Sequence, residues 1–202
     1  MESTDGARAA ASPRRDGGDA IDALRSSGRL ATARIVDSPN FDARPADAAI
    51  ELLVVHNISL PPGEFGGDAI VALFTNRLDA SAHPYFATIA DLRVSAHLLI
   101  RRDGEAIQFV SFSERAWHAG VSRWDGRERC NDFSIGIEME GTDEAPFTPA
   151  QYARLIGATQ LLQRAYPLRA AVGHSDIAPE RKTDPGPYFD WRLFRAATGL
   201  RA

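Results

Sequence analysis

Five polar residues, spread over the chain, have side chains that together could carry out metal-assisted hydrolysis. Two imidazoles and one carboxylate can hold a Zn²⁺ ion and leave its fourth position open for water. A second carboxylate and an ammonium group could then move protons and stabilise negative charge, which suits the hydrolysis of an amide. The residues with this chemistry are His56, Glu138, His174, Lys182 and Asp184.

Two predicted strands would position the first histidine and the glutamate. Glu51–Asn57 is a continuous Leu/Val run up to His56, which predicts a central strand covered on both faces. Phe133–Glu140 predicts a second strand, in which Glu138 shares a face with small residues and lies opposite an apolar face. Functional side chains in α/β proteins often lie where such strands end, so a shared site is plausible.

The third part of the candidate site follows another short predicted strand, Ala170–Val172. His174 comes directly after this strand, and the charged loop beyond it is stiffened by Pro185–Pro187. A rigid loop can hold a ligand carboxylate in place. The spacing alone leaves open whether Asp176 or Asp184 would complete a metal site.

Further patterns predict the elements around these strands. Ser95–Arg102 and Glu105–Ser111 read as a hairpin that turns at Asp103-Gly104. Thr148, with Pro149 and Gln151 after it, predicts a capped helix with an apolar stripe that runs to Tyr166. Other predicted helices are Asp68–Asn76 and Asp190–Ala197. The interleaving predicts an α/β fold: a single domain with a mixed central β-sheet flanked by α-helices.

Composition and charge indicate the extent of the folded domain and exclude some classes of partner. Residues 1–27 are rich in small and charged residues, which predicts a disordered N-terminal extension with a short helix around Asp19–Ser26, so the folded domain would be 28–202. The net charge of −4 provides no basic field, so neither nucleic acid nor a membrane is an expected partner. Cys130 is the only cysteine, and no apolar signal segment follows the N-terminal arginines. Both features favour a cytoplasmic protein.

Each candidate residue also has an ordinary structural explanation. His56 could be a satisfied core histidine, and Glu138 could belong to the polar face of a half-buried strand. The loop after His174 could be a solvated charged turn. Among the other histidines, His83 and His97 are expected to be structural. The signatures HExxH and CxxC do not occur, so counting histidines alone does not establish a zinc site.

Taken together, six ordered motifs resemble a known enzyme family. The motifs are Leu53–Ser59, Leu60–Gly67, Arg93–His97, Arg115–Gly120, Gly126–Glu138 and Gly173–Pro187. They are similar to those of the AmpD-type N-acetylmuramoyl-L-alanine amidases, which are cytosolic zinc enzymes of the amidase-2 superfamily. That superfamily also includes phage T7-type lysozymes and peptidoglycan recognition proteins. The resemblance covers the chain from about residue 28 to about residue 195.

The resemblance implies roles for individual residues. It implies one Zn²⁺ held by His56, His174 and Asp184, with Glu138 and Lys182 as catalytic residues, so residues 28–202 would form a zinc amidase domain. The phage branch instead has a cysteine ligand and a catalytic tyrosine, and this sequence lacks an evident equivalent of that tyrosine. The positions that match substrate-binding residues of the family are Asn57, Arg93, Trp117, His118 and Arg129.

The resemblance also implies a reaction and a substrate. The expected activity is hydrolysis of the amide between (anhydro-)N-acetylmuramic acid and L-alanine of the stem peptide, in cytosolic muropeptide recycling. Glu138 would take the proton of the attacking water, and Lys182 would stabilise the oxyanion together with Zn²⁺. Arg93 and Arg129 would bind stem-peptide carboxylates, unless they form surface ion pairs of small worth. We expect a monomer whose partner is a small muropeptide.

Two other functions compete with this prediction. The chain could be a non-catalytic module that binds muropeptides, as some peptidoglycan recognition proteins are. A weaker alternative is a zinc hydrolase that acts on another acyl-amide, or a phage-type lysin that acts on intact wall. A binding module would be expected to lack a metal ligand or a catalytic residue, and here all five positions are filled. The sequence therefore favours the catalytic amidase.

Overall fold

The computed structural model describes residues 16–202 of the chain. The helices are α1 (Asp16–Ser27), α2 (Ala69–Phe74), α3 (Pro84–Ile89), α4 (Pro149–Ala165), α5 (His174–Ile177) and α6 (Trp191–Thr198). The strands are β1 (Arg34–Ile35), β2 (Phe41–Asp42), β3 (Leu52–Ile58), β4 (Leu98–Ile100), β5 (Ala106–Gln108), β6 (Arg115–Ala116), β7 (Arg123–Trp124), β8 (Arg127–Glu128), β9 (Ser134–Glu140) and β10 (Ala170–Gly173). A 3₁₀ turn spans Cys130–Asp132.

A six-stranded sheet forms the centre of the domain, in the order β1-β5-β4-β9-β3-β10. The β4–β5 pair is antiparallel and the other pairs are parallel, so the predicted mixed sheet and the predicted hairpin are confirmed. All seven residues of β9 are buried, as are the first five of β3. The continuous apolar run before His56 therefore forms a central strand covered on both faces, as predicted.

Alternate residues of β3 and β9 face different layers. Leu53 and Ile135 pack in the core beneath α4 and α6, together with Leu155 and Phe194. Leu52 lies in a separate apolar cluster on the opposite face of the sheet. Because side chains alternate along a strand, His56 and Glu138 point away from the α4 layer, toward the face that the other helices leave partly open.

The predicted capping of α4 is confirmed. Thr148 Oγ1 accepts a hydrogen bond from the Gln151 backbone N–H at 3.1 Å, and Gln151 Oε1 accepts one from the Thr148 N–H at 3.0 Å. Pro149 occupies the first turn, where its missing N–H costs no hydrogen bond. This reciprocal cap fixes the start of the longest helix against the sheet.

The N-terminal boundary differs from the predicted one. The expected short helix is α1, and its Ile21 and Leu24 are buried, the latter in the core that α4 covers. Arg25 donates a 2.7 Å hydrogen bond to the carbonyl of Arg164 at the end of α4. Within residues 16–202, packing therefore begins at α1, ahead of residue 28, because Ile21 and Leu24 are buried on one side of this helix. The remaining part of the predicted extension, residues 1–15, lies outside the described residues.

Several elements depart from the expected boundaries. The hairpin strands β4 and β5 are shorter than predicted, although His97, just before β4, still forms backbone hydrogen bonds with Gly136 and Phe109. The short helix α3 and the two-residue strands were not predicted. Among residues 16–202, no helix has the length and apolar character needed to cross a membrane.

Candidate metal centre and active-site cleft

The parallel strands bring the two histidines and the glutamate of the predicted site together. His56 on β3 lies directly opposite Glu138 on β9 in the strand register. On the other side of β3, Gly173 of β10 lies opposite Val55, so His174, the first residue of α5, emerges beside His56. The sheet thus aligns three side chains that are far apart in the sequence at the carboxyl ends of parallel strands.

Three donor atoms converge at this point. The Nδ1 atoms of His56 and His174 are 3.0 Å apart, and Asp184 Oδ2 lies 3.1 Å from the first and 3.2 Å from the second. A tetrahedral site with metal–ligand bonds of about 2.1 Å has ligand–ligand edges of about 3.4 Å. The observed triangle is close to that size. The donor set and its spacing therefore fit a Zn²⁺ ion.

Backbone hydrogen bonds of the loop select which aspartate joins the histidines. The Asp184 carbonyl accepts a 2.9 Å bond from the Ser175 N–H, which ties the loop to the start of α5. Asp176 instead accepts a 2.7 Å bond from the Gly173 N–H with its Oδ2 atom, so it caps α5. Of the two aspartates that spacing left open, the structure thus places Asp184 beside the two histidines.

The electrostatics of the cluster favour a bound cation. Burial lowers the pKa of His56 to about 4, although the nearby Asp184 carboxylate opposes that shift. Burial also raises the pKa of Asp184, but its contacts with His174 and His56 outweigh this and hold the pKa well below its usual range. At neutral pH, His56 is therefore neutral and Asp184 is charged, which are the protonation states that bind a metal.

His174 is oriented by a second contact. Its Nε2 atom lies 3.1 Å from the carbonyl oxygen of Ala119, which can only accept a hydrogen bond. The Nε2 atom must therefore carry a proton, so the neutral form of the ring has its lone pair on Nδ1, the atom that faces Asp184. A backbone carbonyl that fixes the tautomer in this way is the usual support of a metal-binding histidine.

Glu138 is buried beside this cluster without a neutralising contact. It is 9% exposed, and its Oε2 atom has no hydrogen-bond partner among the described residues. Burial raises the pKa of this carboxyl well above its usual value, repulsion from Asp184 adds to the shift, and Lys182 opposes it. A buried carboxyl with a free oxygen is costly for stability, which is typical of a functional group held ready for a reaction.

A cleft of about 370 Å³ opens over these residues. Its polar floor contains all five of the residues that the sequence singled out for chemistry. One wall is apolar and is formed by Leu73, Phe74, Tyr85, Ile89, Leu92 and Val94. A pocket with one apolar side and a few convergent polar groups is suited to a small molecule.

Three of the five residues predicted to bind substrate line this cleft, namely Asn57, Trp117 and His118. The Asn57 amide donates a 2.7 Å hydrogen bond to Asp143 Oδ1, and the Trp117 indole N–H donates one of 3.1 Å to Asp42 Oδ1. Both side chains are thus held in place by carboxylates. His118 lies deeper, with its Nδ1 atom 2.9 Å from His56 Nε2.

The other two predicted substrate-binding residues are not among those that line the cleft. Arg93 is exposed, and its guanidinium donates to the Leu92 carbonyl at 3.3 Å. The Arg129 side chain is 70% exposed and pairs with Asp132 at 3.2 Å. The structure therefore leaves both guanidinium groups on the surface, outside the cleft.

The apolar wall contains residues that the sequence analysis did not consider. Tyr85 and Ile89 lie on α3, and Leu92 follows it. A signal for this helix was present, since His83 precedes Pro84 and accepts a 3.1 Å hydrogen bond from the Tyr85 N–H as the cap. Pro at the first position of a helix is a known start signal, but six residues are too few for an apolar period to show.

Two histidines and an aspartate that converge beside a buried glutamate have the composition of a metal-dependent hydrolase site. The Amidase_2 family model, described as N-acetylmuramoyl-L-alanine amidase, matches residues 46–187. A relative from Citrobacter freundii, named 1,6-anhydro-N-acetylmuramyl-L-alanine amidase AmpD, is 65% identical over 175 residues, which are 86% of this chain and 94% of that protein. The chain therefore belongs to the Amidase_2 family of N-acetylmuramoyl-L-alanine amidases.

Solved structures agree with this assignment. The crystal structure of a selenomethionine AmpD derivative matches with a TM-score of 0.82 at 63% identity, over 85% of this chain and 97% of that one. The complex of the Escherichia coli amidase AmiD with the substrate anhydro-N-acetylmuramic acid-L-Ala-D-γ-Glu-L-Lys matches with a TM-score of 0.56 at 34% identity, over 79% of this chain and 62% of that one. The family resemblance seen in the motifs is thus confirmed, as is the predicted α/β fold.

Proposed function

We propose that this chain is a zinc-dependent amidase of muropeptide recycling. It hydrolyses the amide between (anhydro-)N-acetylmuramic acid and L-alanine of the stem peptide. The observation that carries the proposal is the convergence of His56, His174 and Asp184 beside the unpaired carboxyl of Glu138. Relatives that are more than 60% identical over most of the chain are named for this activity, which supports the same substrate class here.

His56, His174 and Asp184 would hold one Zn²⁺. Three protein ligands of these types leave a coordination position free, which is the usual pattern of a catalytic zinc site. When bound, zinc would lower the pKa of its water to about 7 and polarise the substrate carbonyl. The pairing of buried imidazoles with a carboxylate suits a divalent ion, because Asp184 supplies negative charge and burial lowers the pKa of His56.

Glu138 is the proposed carrier of the proton. It removes a proton from the attacking water and delivers it to the nitrogen of the leaving L-alanine. Burial raises the pKa of the carboxyl, which favours holding the proton between the two transfers. Its position opposite His56 in the strand register keeps it beside the metal ligands.

Lys182 is the proposed electrostatic stabiliser. Its ammonium group would donate a hydrogen bond to the carbonyl oxygen of the scissile amide as negative charge develops there. The backbone of Lys182 is held in place, because its N–H donates a 2.9 Å hydrogen bond to the Ala178 carbonyl. Lys182 also lies only two residues before the proposed ligand Asp184. The side chain lines the cleft together with Glu138.

The remaining residues of the cleft would orient the muropeptide. Asn57 and Trp117 form a polar rim whose side chains are held by carboxylates, and the apolar wall around Tyr85 suits the less polar faces of the sugar and the lactyl group. Arg93 and Arg129 would bind carboxylates of the stem peptide beyond the cleft, because guanidinium groups bind carboxylates bidentately.

The direct test uses the purified full-length chain loaded with one equivalent of zinc. Incubation with anhydro-N-acetylmuramoyl tripeptide should release free tripeptide and anhydro-N-acetylmuramic acid, as identified by mass spectrometry. A chelator should stop the reaction, and added zinc should restore it. Tight binding of the muropeptide without cleavage would mean that the chain is a recognition module. Cleavage that persists in metal-free protein would contradict the metal centre.

We further propose that the enzyme acts in the cytoplasm as a monomer, without a nucleic-acid or membrane partner. The lone Cys130 suits a reducing compartment, and the net charge of −4 offers no attraction to polyanions. Light scattering coupled to size-exclusion chromatography should give a mass near 22.0 kDa. A concentration-independent dimer mass would contradict this part of the proposal.

A further inference from the structure

A line of buried hydrogen bonds leads away from the first metal-ligand histidine. His56 Nε2 lies 2.9 Å from His118 Nδ1, and His118 Nε2 lies 3.1 Å from Ser134 Oγ. Ser134 Oγ in turn lies 2.6 Å from the carbonyl oxygen of Cys130. All four residues are buried. The line therefore runs from the metal site into the interior and ends on the backbone.

The chemistry of the last group sets the direction of every bond in the line. The Cys130 carbonyl can only accept, so the single hydroxyl proton of Ser134 is donated to it. Ser134 Oγ must then accept from His118, which places a proton on His118 Nε2. A neutral imidazole carries one proton, so His118 Nδ1 accepts from the Nε2–H of His56. His56 is left with a free lone pair on Nδ1, the atom that faces His174 and Asp184.

The packing around His118 supports this placement. A Cβ atom at Gly136 would lie 2.3 Å from Cγ of the His118 ring, so the ring rests on β9 in the space that a glycine leaves. The rings of His56 and His118 meet edge to face, with centroids 5.1 Å apart. The described residues place no carboxylate in hydrogen-bond contact with the His118 ring, so nothing there favours a second proton on it.

We propose that His118 is a positioning residue that fixes the tautomer of His56, through Ser134 and the Cys130 carbonyl, so that His56 presents Nδ1 to the metal. The inference rests on the proposed zinc function. It gives both ligand histidines the same kind of support, because His174 uses the Ala119 carbonyl directly and His56 reaches a carbonyl through two side chains. His118 would then act on zinc affinity and not mainly on contact with substrate.

The first test needs no substitution. The zinc-loaded wild-type protein, labelled with ¹⁵N on its histidines, should show His118 protonated on Nε2 alone and His56 protonated on Nε2, in long-range ¹H–¹⁵N spectra at neutral pH. A His118 ring protonated on Nδ1, or on both nitrogens, would overturn the inference. Because the measurement uses the native chain, it stands even if a variant does not fold.

The second test measures zinc affinity by competition with a chelator. His118→Leu should weaken zinc binding by about 10–100-fold, the usual effect of losing a group that supports a ligand. His118→Asn keeps an acceptor near the position of Nδ1 and should recover most of that loss. His83→Leu removes a histidine that caps a surface helix and serves as the matched control, with wild-type affinity expected.

The outcomes separate the two proposals. Wild-type protein that binds no zinc would overturn the proposed function itself. Tight zinc binding by the wild type together with unchanged affinity in folded His118→Leu would overturn only the role of His118. A loss in His118→Leu that His118→Asn does not recover would also count against it, because volume and not the hydrogen bond would then be responsible.

Discussion

Two regions of the molecule hold the predicted functional residues in different ways. On the parallel strands β3, β9 and β10, ladder hydrogen bonds and burial fix His56, Glu138 and the start of the segment that carries His174. On the irregular segments around the cleft, Arg93 and Arg129 are exposed and their partners are few. Residues that react must keep a fixed geometry, whereas residues that attract a flexible peptide can adapt to it. We therefore expect turnover to depend on the first region and affinity on the second.

The largest effect is expected for the proposed metal ligand that joins the histidines of the first region. Asp184→Ala should lose zinc and activity together, because two histidines alone hold the ion weakly. Metal analysis after dialysis gives the zinc content, and release of tripeptide gives the activity. Asp176→Ala is the matched control, since this aspartate caps α5 and should keep the zinc. One full equivalent of zinc in Asp184→Ala would remove this residue from the ligand set.

A large effect on turnover, without loss of zinc, is expected at Lys182. Lys182→Met keeps the length of the side chain and removes its charge, so kcat should fall by about 10²–10³ while zinc content stays at the wild-type level. Steady-state kinetics separates kcat from KM. Glu180→Ala, an exposed acidic residue of the same loop, should behave as the wild type. A change confined to KM would contradict the role of Lys182 at the oxyanion.

Smaller effects are expected in the second region. Arg93→Ala and Arg129→Ala should each raise KM for a tripeptide substrate by roughly tenfold, since a hydrogen bond to a charged group at the low end of its range contributes about 1.5 kcal/mol. Values of kcat should stay close to the wild type. Arg192→Ala on the exposed side of α6 is the control for lost positive charge. A fall in kcat without a change in KM would erase the proposed difference between the two regions.

The smallest effect on turnover is expected far from the site, in α1. Leu24 is 3% exposed, so Leu24→Ala should lower the free energy of unfolding by about 2–5 kcal/mol through loss of core packing. The turnover rate per folded enzyme molecule should not change. Urea denaturation measures the stability, and Asp19→Ala on the exposed face of the helix is the control. Unchanged stability would mean that α1 contributes no packing energy to the domain.

The parts of the molecule that sequence predicts well are those with strong local patterns. The Leu/Val run before His56 and the alternation around Glu138 are direct consequences of burial in a sheet, and the capping residues of α4 satisfy backbone groups within four positions. The structure has these strands and this helix where the sequence predicts them. The positions of His56 and Glu138 at the ends of the strands are therefore predictable as well.

The parts that sequence predicts poorly depend on contacts between distant segments. Which aspartate lies beside the two histidines, Asp176 or Asp184, depends on how a loop folds back on α5. The spacing of residues in the sequence does not predict that contact. The apolar wall at Tyr85 lies on a helix too short to show a period. The contact of His118 with His56 joins residues 62 positions apart, so the sequence could place His118 near the cleft but not in the line of hydrogen bonds behind a ligand.

The most direct measurement compares wild-type protein with Glu138→Gln, and records zinc content and tripeptide release on the same samples. The substitution keeps the shape of the side chain and removes its ability to take a proton. We predict one zinc per chain in both proteins and a kcat that is lower by about 10²–10⁴ in the variant, the usual contribution of a general base. Release of tripeptide by zinc-loaded Glu138→Gln at the wild-type rate would contradict the account.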